Sequence, residues 1–334
     1  MDADGWIARA VELATLGPAH GPNPRVGCVI VRDGAVLAEG YHRGAGTPHA
    51  EAAALASAHE RGVDVTGATA YVSLEPCAHT GRTPPCADAL TDAHVGRVVY
   101  AVEDPNPTAS GGGEVLRDRG IPAHLHRDAA AKALNRRWLM AVARERPYVI
   151  AKWAATLDGR TAAADGSSFW ITGDEARDHA HGVRATVDAI VVGTGTVAAD
   201  NPSLSSRPGG AEGGHQPLRL VVGDRDTAGA EVWRDANAAR ISGHDPAAVL
   251  SEAWDRECRV VLLEGGATLT TAFLAAGLVD EVHAYIAPAI LGSGMTAVGD
   301  LGIGSMSGVL RALDVTRTPL GVDTLVTALL TEGP

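Results

Sequence analysis

Hydrophobic positions along the chain change period from one segment to the next. Residues 5–16 place apolar side chains at helical spacing and predict an amphipathic helix. Two short apolar runs, 27–31 and 35–40, flank Asp33-Gly34, a dipeptide suited to the positive φ angles of a tight hairpin. The alanine-rich stretch after Pro48 predicts a helix ended by Gly62. Strand-like runs at 68–74, 95–102 and 121–125 alternate with a helix over 86–94 and another before Ile121. This order predicts a three-layer α/β domain.

Residues 127–146 predict one further helix, and Pro147 marks a boundary. A second α/β pattern begins there, with strands expected at 148–156, 188–192, 218–222, 260–263 and 281–286. Glycine- and proline-rich stretches separate them. The segment 207–217 predicts a loose, glycine-rich surface loop. The expected organisation is two α/β domains, 1–145 and 147–334, which suits a chain of 334 residues.

Composition narrows the function classes. Hydrophobic residues make up 46% and aromatics only 4%, so the cores rest on Ala, Val and Leu. A net charge of −12 argues against a nucleic-acid partner, which needs a basic face, but leaves room for a local cationic pocket and a small anionic substrate. No apolar run is long enough for a membrane span. The N-terminal segment carries acids where a signal peptide has bases. Four cysteines are too few for a disulfide scaffold in a chain this long. A soluble protein of a reducing cytoplasm is expected, with cysteines acting as ligands, nucleophiles or core filler. Cys28 and Cys258 read as core filler.

Three other positions form a chemical set. His49-Ala50-Glu51 opens a helix, Pro76-Cys77 follows a strand, and Pro85-Cys86 opens the next helix. One imidazole and two thiolates suit tetrahedral Zn²⁺ and leave its fourth position to water, the arrangement of a catalytic site. Glu51, on the first helical turn beside His49, suits a proton carrier. Zinc deaminases of nucleobases share an H-x-E and P-C-x-x-C signature. Here eight residues separate Cys77 from Cys86, a wider gap than that signature has.

NPRVGCVIV (23–31), GYHRGAGTPHAE (40–51), SLEPCAHTGRTPPC (73–86) and EDPNP (103–107) resemble the deaminase half of the bifunctional RibD family of riboflavin biosynthesis. In that family the longer gap between the cysteines is normal. AKWAATLDGRTA (151–162), WITG (170–173), the stretch 183–204 and LLEGG (262–266) resemble its reductase half. The resemblance implies a cytidine-deaminase-like three-layer domain followed by a dihydrofolate-reductase-like α/β domain. It implies Zn²⁺ and NADPH as cofactors and a homo-oligomer, dimer or tetramer, through the reductase domain. The implied substrate is a small phosphorylated pyrimidine, 2,5-diamino-6-(5-phosphoribosylamino)pyrimidin-4(3H)-one. Its ring amine leaves as ammonia, and its ribosyl group is then reduced to ribityl.

Residue by residue, the resemblance implies His49, Cys77 and Cys86 as metal ligands and Glu51 as the catalytic proton carrier. Asn23, His42, His79, Arg82 and Asn106 would line the deaminase pocket. In the second half Lys152 and Asp200 would organise charge near the hydride. Ala154, Trp170, Thr196, Asp200, Asp224, Gly266, Ala267 and Thr268 would face the cofactor. Ser168, Arg184, Leu204, Arg207 and Glu264 would face the substrate, with Arg184 and Arg207 suited to its phosphate. The residues alone say less here. Gly193 and Gly195 miss the G-x-G-x-x-G spacing, and Glu264-Gly265-Gly266 before a helix is the better phosphate cradle. The segment 223–259 looks short and irregular beside the family pattern.

Two competing readings follow from the same residues. One is a nucleoside or tRNA deaminase with a non-catalytic C-terminal binding domain. The other is an interaction protein with a structural zinc clamp, which a fourth protein ligand would usually complete.

Overall fold

The computed structural model describes residues 1–80, 84–168, 171–211 and 213–332. The chain divides into two compact units, Met1–Arg144 and Glu145–Pro334.

The first unit runs α1 (Ala3–Thr15), β1 (Gly27–Arg32), β2 (Ala35–Tyr41), α2 (Ala50–Glu60), β3 (Thr69–Val72), α3 (Cys86–Asp92), β4 (Arg97–Tyr100), α4 (Gly112–Asp118), β5 (Ala123–Leu125), α5 (Ala129–Leu134) and α6 (Arg136–Ala143). Its sheet has the order β2-β1-β3-β4-β5. Strand β1 pairs antiparallel with β2 and β3, while β3, β4 and β5 run parallel. The β1–β2 hairpin turns on Asp33 and Gly34, both at positive φ, as that dipeptide predicts.

Alternation along the strands gives the sheet two apolar faces. One face, with Cys28, Ile30, Val72 and Val98, packs on Ala50, Ala54 and Ala58 of α2, Leu90 of α3 and Leu116 of α4. The other, with Val29, Val31 and Val99, packs on Trp6, Ile7 and Ala10 of α1 and Ala131 of α5. The small residues of α2 let the helix lie almost on the strands. A Cβ on Gly40 would stand 2.3 Å from the Ala54 nitrogen, so β2 can pass there only as glycine.

The stretch 127–146 is two helices rather than the single one expected. Asn135 breaks it, because its amide is used elsewhere: Oδ1 accepts from the Arg25 N–H at 2.9 Å and Nδ2 donates to the Arg25 carbonyl at 2.8 Å.

The second unit continues with β6 (Tyr148–Thr156), β7 (Arg160–Ala162), α7 (Asp174–Arg184), β8 (Ala189–Gly193), α8 (Thr194–Asp200), β9 (Leu218–Val222), β10 (Ala238–Ile241), α9 (Pro246–Asp255), β11 (Val260–Leu263), α10 (Ala267–Ala275), β12 (Glu281–Ala287), β13 (Met295–Thr296), β14 (Asp314–Leu320) and β15 (Asp323–Leu329). The large sheet has the order β10-β9-β8-β11-β6-β12-β15-β14, parallel up to β12 and antiparallel beyond. Strands β7 and β13 form a separate two-stranded piece.

The segment 223–259 is more regular than its composition suggests: it supplies the edge strand β10 and the helix α9, whose Val249, Leu250 and Ala253 are core residues. The loop 207–217 is tied down at several points. The Gln216 amide bonds both the N–H and the carbonyl of Ser206, and the Gly209 N–H donates to Asp178. Among the described residues, no helix is long and apolar enough to cross a membrane.

Candidate active sites

In the first unit, the carboxyl end of β3 and the starts of α2 and α3 converge. His49 is the N-cap of α2, Glu51 lies in its first turn, and Cys86 is the first residue of α3. The His49 Nδ1 lies 3.5 Å from Cys77 Sγ and 3.3 Å from Cys86 Sγ, and the three ligand atoms all stand within 4.8 Å of one another. A tetrahedral zinc with Zn–S about 2.3 Å and Zn–N about 2.05 Å spaces its ligand atoms roughly 3.5–3.8 Å apart. The two nitrogen–sulfur spacings, and the chemistry of the donor set, therefore suit a zinc ion.

Charge points the same way. The Cys86 thiol, with the His49 ring and the Cys86 N–H, hydrogen-bonds Cys77 and holds its thiol down at about 4. Cys86, as donor to Cys77 and buried, is pushed far up. Two adjoining thiols without a cation share one proton, and a divalent ion lets both ionise. A Cβ on Gly112 would overlap the Pro76 carbonyl at 1.7 Å, so α4 backs directly on the Pro-Cys turn.

Glu51 is 3% exposed. Burial raises its affinity for a proton, despite the nearby His49. A carboxyl with raised proton affinity is better suited to carry a proton than a solvated glutamate.

The remaining expected residues of this pocket divide. His42, 3% exposed, keeps its ring between the Pro48 carbonyl (Nδ1, 3.0 Å) and the Asn23 amide (Nε2, 2.9 Å). The carbonyl requires the proton on Nδ1, so Nε2 accepts from Asn23. Burial lowers the His42 pKa, consistent with a neutral ring that orients Asn23. His79 has a buried Nδ1 with no hydrogen-bond partner among the described residues. Asn106 spends its carbonyl on Thr108. Arg82 lies outside the described residues.

Two acids here escaped the sequence reading, although both lie inside its motifs. Asp104 is half-buried, with His49 and Cys77 near enough to act on its charge, and desolvation pushes its carboxyl up to about 6. Glu75 accepts from the Asp104 and Gly113 N–H groups and so ties the EDPNP loop to α4.

The second unit has a cleft of about 1150 Å³ outside the carboxyl ends of β8, β9 and β11, where open α/β sheets usually bind ligands. Lys152, Ala154, Thr196, Asp200 and Asp224 line it. So do Ser168, Arg184, Leu204 and Glu264, and the Gly266, Ala267 and Thr268 segment at the start of α10. Trp170 lies outside the described residues. Arg207 is not on this cleft. It lines an adjoining pocket of about 300 Å³, which shares Lys152, Ala154, Arg184 and Leu204 with it. Leu204 is buried at φ +52°, a conformation that costs a side chain roughly 1–3 kcal/mol and that clusters at functional sites.

The charged centre of this site is built on Lys152, Arg184 and Glu264. Asp200 lines the cleft but makes no ion pair with Lys152; the carboxylate beside Lys152 is Glu264, at 3.6 Å. The reason is topological, since β11 and β6 are neighbours in the sheet while Asp200 ends α8. Arg184 holds Glu264 through Nε at 2.6 Å and Nη2 at 2.8 Å, and its Nη1 donates to the Ser205 carbonyl. Most of its donors are thus taken, whereas the exposed Arg207 has no side-chain hydrogen bond or ion pair among the described residues.

Burial alone would push Glu264 up; the Arg184 and Lys152 charges outweigh it and hold the carboxyl at about 2. Beneath them Tyr285, missed from sequence, sets its ring 5.5 Å from the Lys152 ammonium and its hydroxyl 2.8 Å from His179. The β6–β12 register makes this meeting possible, with Tyr285 opposite Ala154 and His283 opposite Lys152.

The DGR sequence shapes the cleft wall. Asp158 accepts from the Leu291 and Gly292 N–H groups, and Arg160 donates to the Gly292 and Gly294 carbonyls. Together they fix β13 on β7 at the edge of the cleft.

A family model described as the RibD C-terminal domain matches residues 147–325. A second, the cytidine and deoxycytidylate deaminase zinc-binding region, matches residues 2–102. The chain is 46% identical over 297 residues to the riboflavin biosynthesis protein RibD of Mycobacterium tuberculosis, covering 87% of this chain and 86% of that one. It is 39% identical over 332 residues to RibD of Escherichia coli, covering 88% and 89%. Among solved structures, Acinetobacter baumannii RibD superposes with a TM-score of 0.87 at 37% identity, over 99% of both chains. A Thermotoga maritima diaminohydroxyphosphoribosylaminopyrimidine deaminase/5-amino-6-(5-phosphoribosylamino)uracil reductase superposes at 0.86 and 33%, over 98% of this chain and 99% of that one. The chain belongs to the RibD family, with a zinc-binding deaminase domain ahead of a reductase domain, and is a bifunctional deaminase and reductase of riboflavin biosynthesis.

Proposed function

We propose that the first unit deaminates 2,5-diamino-6-(5-phosphoribosylamino)pyrimidin-4(3H)-one and that the second reduces the ribosyl group of the product with NADPH. The observation that carries the first half is the meeting of His49, Cys77 and Cys86 beside the buried Glu51. Those three side chains would hold zinc, which when bound supplies the Lewis acid that makes water nucleophilic at neutral pH. Glu51 takes the proton of the attacking water and passes it to the departing amine, so ammonia leaves neutral. His42 and Asn23 hold each other in one orientation, which leaves the Asn23 carbonyl to accept from the ring.

NADPH, when bound, supplies the hydride. The start of α10 and the Thr196 hydroxyl, which accepts from the Gly266 N–H at 3.1 Å, form a backbone cradle suited to its pyrophosphate. Reduction puts hydrogen on C1′ and breaks the C1′–O4′ bond, and O4′ needs a proton. Lys152 is the donor in this scheme, and Glu264 keeps it charged and in place. Arg207 takes the sugar phosphate. The edge strand β14, exposed from Asp314 to Pro319, supports a homo-oligomer through this unit. The family assignment leaves the reading of the C-terminal half as a non-catalytic binding domain unfavoured.

The test follows both halves at once: zinc-loaded protein, the diaminopyrimidinone phosphate and NADPH, with ammonia and NADPH measured in parallel. Near-equal ammonia release and NADPH oxidation is expected. Ammonia without NADPH oxidation would overturn the reductase half, and silence in both would overturn the substrate.

A further inference from the structure

The pocket that adjoins the cleft is lined by more positive charge than two arginines. Arg177, His181 and Arg184 stand at i, i+4 and i+7 on α7, so all three lie on one helix face. Arg207 and Lys152 line the pocket as well, and it has no acidic lining residue. Such a pocket, on an acidic protein, suits a phosphomonoester dianion.

His181 is the member of the set whose charge can change. Its Nδ1 lies 3.1 Å from the Ser205 carbonyl. A carbonyl only accepts, so Nδ1 carries the proton, and the neutral ring presents a bare lone pair at Nε2. Among the described residues that nitrogen has no hydrogen-bond partner, and it is not among the buried unpaired atoms, so it is open to the pocket. A lone pair facing a phosphate oxygen repels it, whereas an N–H attracts it.

The charged and titratable groups around the ring are Arg177 and Arg184 on its own helix, Arg207 on the following segment, Lys152 on β6 and Tyr285 on β12, with the Glu264 carboxylate acting from behind Arg184. Burial lowers the proton affinity of His181, and Arg184 and Arg207 lower it further. The empty pocket therefore holds a neutral ring near pH 7. A dianion cancels the effect of the arginines and reverses the preference.

We propose that His181 is a specificity residue of the reductase half, which gains a proton as the substrate's phosphate dianion enters and then donates Nε2–H to it. One proton moves from solvent to Nε2, and no bond of the substrate changes. The pocket thereby selects the doubly charged phosphomonoester over an unphosphorylated sugar, and its affinity falls as pH rises through neutrality. This rests on the reading of the second unit as a reductase of a phosphorylated sugar.

Calorimetry of the full chain tests it, with ribose 5-phosphate titrated at about pH 7.8 in two buffers of different ionisation heat. At that pH the free phosphate is already dianionic, so proton uptake reports the protein. Close to one proton per ligand is expected for the wild type, with affinity falling up to about tenfold per pH unit above neutrality. H181N keeps a donor for the Ser205 carbonyl and has no titrating nitrogen; it should bind without uptake and with a flat pH profile. H181Q should behave alike.

Binding without uptake, or equal uptake in the variants, overturns the role of His181 alone. No binding of ribose 5-phosphate overturns the phosphate pocket with it. Uptake with NADPH but not with NADH would put the cofactor's 2′-phosphate at His181 and overturn the assignment to the substrate.

Discussion

The two candidate sites are built in opposite ways. The deaminase site concentrates its chemistry in three ligand atoms within 4.8 Å and one buried carboxyl, all from helix starts and the turn after a strand. The reductase site spreads over a cleft of about 1150 Å³ assembled from segments between Lys152 and Ala297, with a charged centre of one carboxylate under two cations. A site made of few atoms stands or falls on each of them. A site made of many segments is held by the balance of its charges and the register of its strands.

That difference can be broken at its most stressed point. Glu264 balances Arg184 and Lys152 in a setting where neither cation has another carboxylate partner among the described residues. Glu264→Gln should leave a buried charge uncompensated and cost about 3–5 kcal/mol, read by denaturant unfolding. NADPH oxidation should fall while ammonia release persists. The pH dependence follows from the depressed carboxyl. Its stabilisation is present above the usual 4.5 and is lost as pH falls toward about 2. Wild type should therefore lose stability over that window, and the variant should lose much less.

A smaller effect sharpens the comparison in the other unit. Asn135 makes two hydrogen bonds to the Arg25 backbone, two residues from Asn23. Asn135→Ala should cost about 1–3 kcal/mol. It should raise the KM for deamination more than it lowers kcat, because it moves a binding residue and leaves Glu51 alone. An unchanged KM with a lowered kcat would show that this segment does not position the pocket.

The contrast also explains what could be read from the chain. His, Cys and Glu at helix starts have few structural uses together, so residues 49–51, 77 and 86 announce a metal site before any fold is known. The hairpin at 33–34 is equally local. The Lys152–Glu264 pair is not local: the two lie far apart in sequence, and only the pairing of β6 with β11 brings them together. Asp200 reaches the same cleft from the end of α8, and nothing along the chain shows that Lys152 pairs with Glu264 instead. Tyr285 and His181 likewise owe their roles to neighbours, Tyr285 to β6 and His181 to the pocket wall. The break at Asn135 is hidden because its partner is the backbone of residue 25. Strand β14 is exposed along nearly its whole length and β15 mixes threonines with its apolar residues, so no apolar period marks them.

The central claim is that Glu51 carries the proton of deamination independently of metal binding and of the reductase half. Glu51→Gln, measured for zinc content, ammonia release and NADPH oxidation with the deaminated substrate supplied, tests it most directly. The account predicts zinc retained at the wild-type level, reductase activity unchanged, and ammonia release reduced by about 10²–10⁴. Ammonia release near the wild-type rate with zinc in place would contradict it.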